Sequence, residues 1–257
     1  MTQTANIPTW WGVVASVALV LLAMTVSWRD QLGLTKELAI AASRAFVQLL
    51  AVGALLLIVF DRGGELAAFC WLAIMVVIAG NVAGRRAPGI PGSVRHAMTA
   101  VAVATASTVG VLLVFRVISV EPQVVIPVGG MVVSASMAAC ALALRRTQDA
   151  AIDRRFAVEA RLSLGLTAKE AFADEHRNAI RTALIPSIDS TKVVGLISLP
   201  GAMTGLILAG VDPLEAIRYQ IVVMYMLLAA GSLSAFTAVR LAQRTLFDDA
   251  ERLVRVK

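Results

Sequence analysis

Apolar residues in this chain come in long unbroken runs rather than in alternation with polar ones. About seven runs can be drawn: Trp10–Trp28, Leu38–Phe60, Leu66–Gly84, Ala97–Val117, Val124–Leu144, Val193–Val211 and Ala216–Val239. Each lies near or above the ~20 residues that carry a helix across the hydrocarbon of a bilayer. The alternating ~10-residue stretches of an outer-membrane barrel are absent. The expected fold is all-α: a polytopic membrane protein of about seven transmembrane helices, forming one domain over residues 1–257. Between the fifth and sixth runs lies a polar stretch, Arg145–Lys192, with no proline before Pro186. It predicts a helical arm outside the membrane rather than a linker.

Charge sorts the connections into two sets. Arg29, Lys36 and Arg44 follow or open one pair of runs, and Arg85, Arg86 and Arg95 lie between the third and fourth. The arm carries nine basic residues. The tail carries Arg240, Arg244, Arg252, Arg255 and Lys257. The alternate connections are short and poor in base: Asp61-Arg62 to Glu65, then Glu121, then Asp212 to Glu215. Basic loops stay on the cytoplasmic side. The expected topology is therefore N-terminus outside, C-terminus cytoplasmic, multi-pass in a bacterial inner membrane. Residues before the first run hold no Lys or Arg, and no A-x-A site precedes the next run, so a cleaved signal is not expected.

A mean hydropathy of +0.80 with 58% hydrophobic residues fits that class. The net charge of +6 is explained by the loops and calls for no nucleic-acid partner. Cys70 and Cys140 both sit in apolar runs and read as small buried hydrophobes. No disulfide framework or zinc spacing is present. None of the lysines (Lys36, Lys169, Lys192, Lys257) follows a glycine, so the chain has no phosphate-binding G-x-x-x-x-G-K-[ST] loop. No cofactor is expected on this chain.

The arm contains the sharpest local signal. Thr167-Ala-Lys-Glu170 fits a capping box, in which the Thr hydroxyl and Glu carboxylate satisfy free N–H groups at a helix start. Gly165, just before it, can take the left-handed backbone that ends a preceding helix. The prediction is helix, sharp turn, helix.

Glu159-Ala160-Arg161, with Gly165 six positions after Glu159, resembles the EAA loop of ABC-transporter permeases. Arg161 stands where that family has a second Ala, and Pro186 stands further from Gly165 than the family's Leu-Pro. The segment Ile185–Leu228, with Ser43–Leu50 and Gln123–Gly130, resembles the FetB-like permeases, a family linked to iron export, over essentially the whole chain. The resemblance implies a homodimeric permease paired with two copies of a separate P-loop ATPase, which binds the ATP. It also implies export of iron or another metal ion; a plant relative acts in aluminium tolerance. By the same resemblance, coupling to the ATPase falls on Glu159, Ala160, Gly165, Thr167, Glu170, Ala171 and Phe172.

Inside the membrane, Arg44 and Gln48 share a helix face. Arg44 is read either as an interfacial anchor or as part of a pathway. Gln48 and Asn81 are candidates for polar contacts between helices. Pro200, in Leu199-Pro200-Gly201, removes an N–H and crowds the preceding turn, so the sixth run should kink or break. Gly201, Gly205 and Ala209 give a small-residue face for close packing. Pro127, Gly129 and Gly130 interrupt the fifth run. Paired interruptions point to a transport site. The candidate pathway is Arg44, Gln48, Asn81, Pro127, Met131, Ser134, Ser198, Pro200, Met203 and Thr204. The alternative for these breaks is packing and curvature alone. Met131, Met137, Met203, Met224 and Met226 read more readily as flexible core filler than as soft-metal ligands. His96 and His176 form no metal cluster with either Cys. Asp189 and Lys192 are spaced to pair on a helix surface. Asp212-Pro213-Leu214-Glu215 reads as a capped helix start.

Two other classes compete. A seven-span receptor or a non-ABC transporter shares the layout, although a retinal pump would need a lysine in Ala216–Val239 and there is none. An intramembrane enzyme lacks support: there is no H-E-x-x-H and no paired aspartates or Ser-Lys pair within the runs.

Overall fold

The computed structural model describes residues 9–62 and 64–254, which form ten helices. The side chains of Asp61 and Arg62, and residues Arg255 and Lys257, whose charges entered the topology reading, lie outside that set. The helices are α1 (Trp10–Arg29), α2 (Thr35–Arg62), α3 (Gly64–Gly84), α4 (Ser93–Val114), α5 (Pro122–Asp153), α6 (Arg155–Ser163), α7 (Ala168–Ala171), α8 (Ala173–Val193), α9 (Gly201–Leu208) and α10 (Pro213–Leu246). Among the described residues there is no named strand.

Two units can be distinguished. One holds α1 and α2 as an antiparallel hairpin whose turn uses left-handed backbone at Gln31 and Gly33. Thr35 Oγ1 donates to Ser27 Oγ at 3.3 Å across that turn.

The other unit, which holds α3 to α8 and α10, is built around α10, packed along α4, α5 and α8. Its core is lined by small residues. Ala97, Ala100 and Ala104 of α4, Ala143 of α5, and Ala230, Ala235, Ala238 and Ala242 of α10 are fully buried. In a lipid solvent, burial of apolar surface gives helices little reason to associate, so close backbone approach and van der Waals packing must do it. Gly80 shows how tight this becomes. A Cβ there would lie 2.6 Å from the Met98 Cα on α4, and at Gly84 it would overlap the Val94 backbone. At Gly129 the obstacle is the Leu72 side chain, 2.6 Å away. Gln148 on α5 accepts from the Gly89 N–H at 3.0 Å, which ties the α3–α4 turn to α5.

Five helices among the described residues are long and apolar enough to cross a bilayer: α1, α3, α4, α5 and α10. α2 covers the second predicted run as one helix of 28 residues. The sixth run differs from expectation. It is not a helix over Val193–Val211: α8 ends at Val193, seven residues are non-helical, and α9 is eight residues long. At 1.5 Å per residue α9 spans only ~12 Å. Gly195 at φ 81° and Pro200 explain the break; the loop closes on itself where the Gly195 N–H donates to Ser198 O at 2.9 Å. The small-residue face has no partner at Gly201 or Gly205, where a Cβ would meet nothing within 4 Å among the described residues. Pro186 is accommodated without ending its helix. It lies inside α8 at an exposed position. At the start of α10, Asp212 Oδ1 accepts from the Leu214 N–H at 2.8 Å with Pro213 in the first turn.

Candidate coupling elbow

The apolar part of α5 ends near Leu144, yet the helix continues to Asp153, ~14 Å further. α10 likewise runs past Val239 to Leu246. These extensions carry the segment Arg154–Phe172 beyond the apolar zone, so the arm begins as a continuation of α5.

α6 ends on Gly165, whose φ of 89° is open to glycine at no steric cost. Two residues later Thr167 starts α7. The Glu170 N–H donates to Thr167 Oγ1 at 3.4 Å, and the Thr167 N–H and hydroxyl donate to Glu170 Oε2 at 3.0 and 2.8 Å. The Thr167 hydroxyl, then its N–H, hold the Glu170 carboxyl below its ordinary range. α8 follows α7 with only Phe172 between them.

Arg161 is the keystone of the turn. Its Nη1 donates to the carbonyl of Ala171 at 2.8 Å and to both oxygens of Glu175 at 3.0 and 3.3 Å; its Nη2 lies 3.6 Å from Asp174. Glu175 is buried. One guanidinium therefore closes α6 onto the α7–α8 junction. Arg155 pairs with Glu159 at 2.7 Å.

A second brace comes from the chain end. After α10, residues 247–254 turn back as a hook, closed by Asp248 N–H to Arg252 O at 3.0 Å and Val254 N–H to Leu246 O at 2.8 Å. Glu251, at φ 56°, accepts from the Ala168 N–H of α7 at 3.0 Å. Leu253 is buried, and its carbonyl accepts from Arg155 Nη2 at 3.3 Å. Phe247 meets the buried Phe172 edge to face at 6.0 Å. The Arg252 N–H, then its guanidinium, hold the Asp248 carboxyl below its ordinary range.

The seven residues assigned to coupling thus fall into distinct places. Ala160, Gly165, Thr167 and Glu170 are exposed; Glu159 is half-buried in its ion pair. Ala171 and Phe172 are fully buried and cannot touch a partner directly; they anchor the turn. Outward-facing apolar side chains instead stand at Phe156 (87% exposed) and Leu164 (80%). Sequence reasoning missed Glu175, Phe247, Glu251 and Leu253. The one available signal was Arg161, a base in place of a small residue and hence in need of an acid.

The candidate pathway residues are divided between the two units. Arg44 and Gln48 lie one turn apart on α2, both exposed, in the first unit. In the second, Asn81 Oδ1 accepts from Nε of Arg85, in the turn just after α3, at 2.7 Å. Pro127, Met131 and Ser134 follow one stripe of α5, exposed or half-buried. Ser198 and Pro200 lie in the break, with Met203 and Thr204 on α9, where Thr204 Oγ1 donates to Pro200 O at 3.2 Å. Met226 is core, and Met131 and Met137 pack against that core. Asp189 and Lys192 pair at 3.6 Å while both remain well exposed. Among the described residues no group of three or more His, Cys, Asp or Glu side chains is placed to hold a metal ion.

Comparison with known proteins connects this architecture to a family. Residues 10–247 match the model of the uncharacterised protein family UPF0014. The chain is 39% identical to the UPF0014 membrane protein STAR2 of Oryza sativa subsp. japonica, covering 93% of this chain and 84% of that one. It is 36% identical to the probable iron export permease protein FetB of Escherichia coli, covering 93% and 92%. It is 35% identical to the protein ALUMINUM SENSITIVE 3 of Arabidopsis thaliana, covering 93% and 88%. No solved structure matches. The chain belongs to the UPF0014 family of membrane proteins.

Proposed function

We propose that this chain is the membrane permease subunit of an ABC transporter that exports iron or another metal ion, driven by ATP hydrolysis on a separate P-loop subunit. The observation that carries the reading is the braced elbow. Gly165 and the Thr167–Glu170 cap form a turn whose inner face is locked by Arg161, Phe172 and Glu175 and whose outer face presents Phe156 and Leu164. Exposed large apolar side chains on a rigid mount are what an interface needs as anchors. The relative named as a probable iron export permease supports the class of cargo; the relative named for aluminium sensitivity keeps the ion open.

On this reading two copies of the chain pair with two ATPase subunits in a bacterial inner membrane, N-terminus outside and elbow inside. α2 is a further crossing, and the α8–α9 segment is a discontinuous one, broken at Gly195 and Pro200, as transport-site helices often are. ATP-driven closure of the partners moves the elbow, and the bundle exposes its cargo site to each side in turn. The cargo must bind the two states unequally for transport to follow.

Co-expression with the candidate ATPase tests the reading. Phe156→Asp with Leu164→Asp should abolish co-purification while leaving the chain monodisperse, because both residues are exposed and neither braces the fold. Reconstitution with the ATPase should then give hydrolysis stimulated by the exported ion. An intact complex in the double variant would remove the elbow from the interface.

A further inference from the structure

Beside the elbow lies a cavity of about 630 Å³, bounded by α7, α8, the end of α10 and the hook. Three cations line it: Lys169 of α7 with Arg240 and Arg244 of α10. None of the three is in a salt bridge among the described residues. Carboxylates also line it, but most are already engaged. Asp248 is held by Arg252 at 2.8 Å and by the N–H groups of Ala250 and Arg252; Glu251 is held by the Ala168 N–H. Only Asp249 remains without a hydrogen bond or ion pair among the lining acids. Asp248 is neutralised by Arg252, while Glu251, held only by a neutral N–H, and Asp249 keep their charge; three cations therefore face two uncompensated carboxylates, and the net positive lining favours an anionic occupant.

The surface leading into the cavity identifies its kind. Leu233, Phe236, Arg240 and Arg244 follow at intervals of three, four and four residues, so they share one face of α10. All four are exposed. Going along that face, the chemistry changes from hydrocarbon to guanidinium where α10 leaves its apolar stretch. Arg240 lies over the Phe236 ring, 5.9 Å from its centroid, which holds the charge at the boundary. A ligand that fits has an apolar tail to lie along Leu233 and Phe236 and an anionic head to sit among Arg240, Arg244 and Lys169. Arginine is the side chain suited to the head, since its fork meets two phosphate oxygens at once.

We infer that this cavity is a binding site for the phosphodiester headgroup of an anionic phospholipid, with an acyl chain laid along α10. Because the pocket wall includes Lys169 of the elbow and the hook that braces it, the bound lipid would cross-link elbow to α10. The site requires only that α10 cross the membrane; it does not depend on the identity of the exported ion or on an ATPase.

The test uses the full-length chain in mild detergent, titrated with cardiolipin, phosphatidylglycerol, phosphatidylcholine or inorganic phosphate, with bound lipid read by native mass spectrometry and unfolding by thermal melt. Cardiolipin and phosphatidylglycerol should bind and raise Tm, and phosphatidylcholine should not. Each basic residue near a membrane surface contributes enough that losing two should weaken binding about thirty-fold. Arg240→Gln with Arg244→Gln should show that loss. Arg177→Gln with Arg181→Gln, an exposed pair of the same spacing on α8 outside the cavity, should not. Equal weakening in both pairs, or none in the first, overturns the site. Inorganic phosphate matching the lipids would overturn the lipid assignment and leave a free-anion site. Should the first pair fail to fold, a diazirine-tailed phosphatidylglycerol on the unaltered protein must label residues 233–244; labelling elsewhere overturns the proposal.

Discussion

Arg161→Ala should open the elbow without unfolding the bundle. The guanidinium makes three hydrogen bonds of 3.3 Å or less, one to the Ala171 carbonyl and two to Glu175. A hydrogen bond to a charged group is worth about 1.5–3 kcal/mol. Stripping one partner from a fully buried ion pair costs about 3–5 kcal/mol, because the remaining charge is left without compensation. Glu175 is that buried partner, its side chain 9% exposed, but Arg161 is 33% exposed, so water can enter and part of the penalty is screened. Asp174, 64% exposed, adds little. The expected cost is about 2–3 kcal/mol, placed between those limits. Amide exchange from residues 168 to 176 should then speed up about thirty- to hundred-fold, while α4 and the membrane part of α10 keep their rates. Adding Glu175→Gln to Arg161→Ala should recover part of the loss, since it removes the stranded charge; a pair that contributed only packing would give no recovery. Wild-type exchange in Arg161→Ala, or equal acceleration throughout the bundle, would refute this account of the turn.

Two further outcomes follow from the same region. Ending the chain after Leu246 removes Phe247, Glu251 and Leu253 from the elbow, so a spin label at Leu164→Cys should become markedly more mobile; Glu251→Met should reproduce part of the effect, and an unchanged spectrum in both would show the hook to be passive. The Glu170 carboxyl is held below its usual value of about 4.3, so the cap is fully present above that pH and is lost as pH falls through the lowered value. Exchange at Thr167 and Glu170 should therefore be insensitive to protonation of the cap from pH 8 to 6 and should show its loss only in acid, with Thr167→Ala erasing the acid step.

What was readable in advance was what short-range chemistry decides. The capping box, the left-handed Gly165, the Asp212 cap and the break near Pro200 all depend on residues within about four positions of one another, and all are present. For the same reason five of the seven apolar runs coincide with helices long and apolar enough to cross a bilayer. What escaped were pairings across distance. Glu251 and Ala168 are 83 residues apart, Arg155 and Leu253 are 98 apart, and neither pair leaves a local trace. Arg161 showed itself as a departure from a motif, but its partner Glu175 was one of several acids downstream. The sixth run was misjudged because its composition is apolar throughout; Gly195, in addition to Pro200, turned a kink into seven non-helical residues. Ala171 and Phe172 illustrate a different limit. A motif gives the positions that matter without distinguishing those that touch a partner from those that hold the turn in shape.

Satisfied polar contacts are unevenly distributed, and on the proposed reading their distribution fits a lever. At the elbow the charged groups with structural roles are satisfied: Glu170 by Thr167, Glu175 by Arg161, Asp248 by Arg252, Glu251 by the Ala168 N–H. A satisfied polar network keeps its shape when pushed. The bundle is different. Thr105 and Thr108 of α4 and Gln220 of α10 have buried polar atoms with no partner among the described residues. α9 sits between left-handed glycines at 195 and 210 with open space around Gly201 and Gly205. An element with open space on one face, flanked by left-handed glycines, has room to repack, as the proposed two-state switch would require. On the proposed reading, rigidity belongs where the partner's force enters and slack where the cargo passes. On that reading, loosening the elbow should lose both stimulated ATP hydrolysis and transport in reconstituted vesicles, whereas filling the α9 face should lose transport and leave hydrolysis intact.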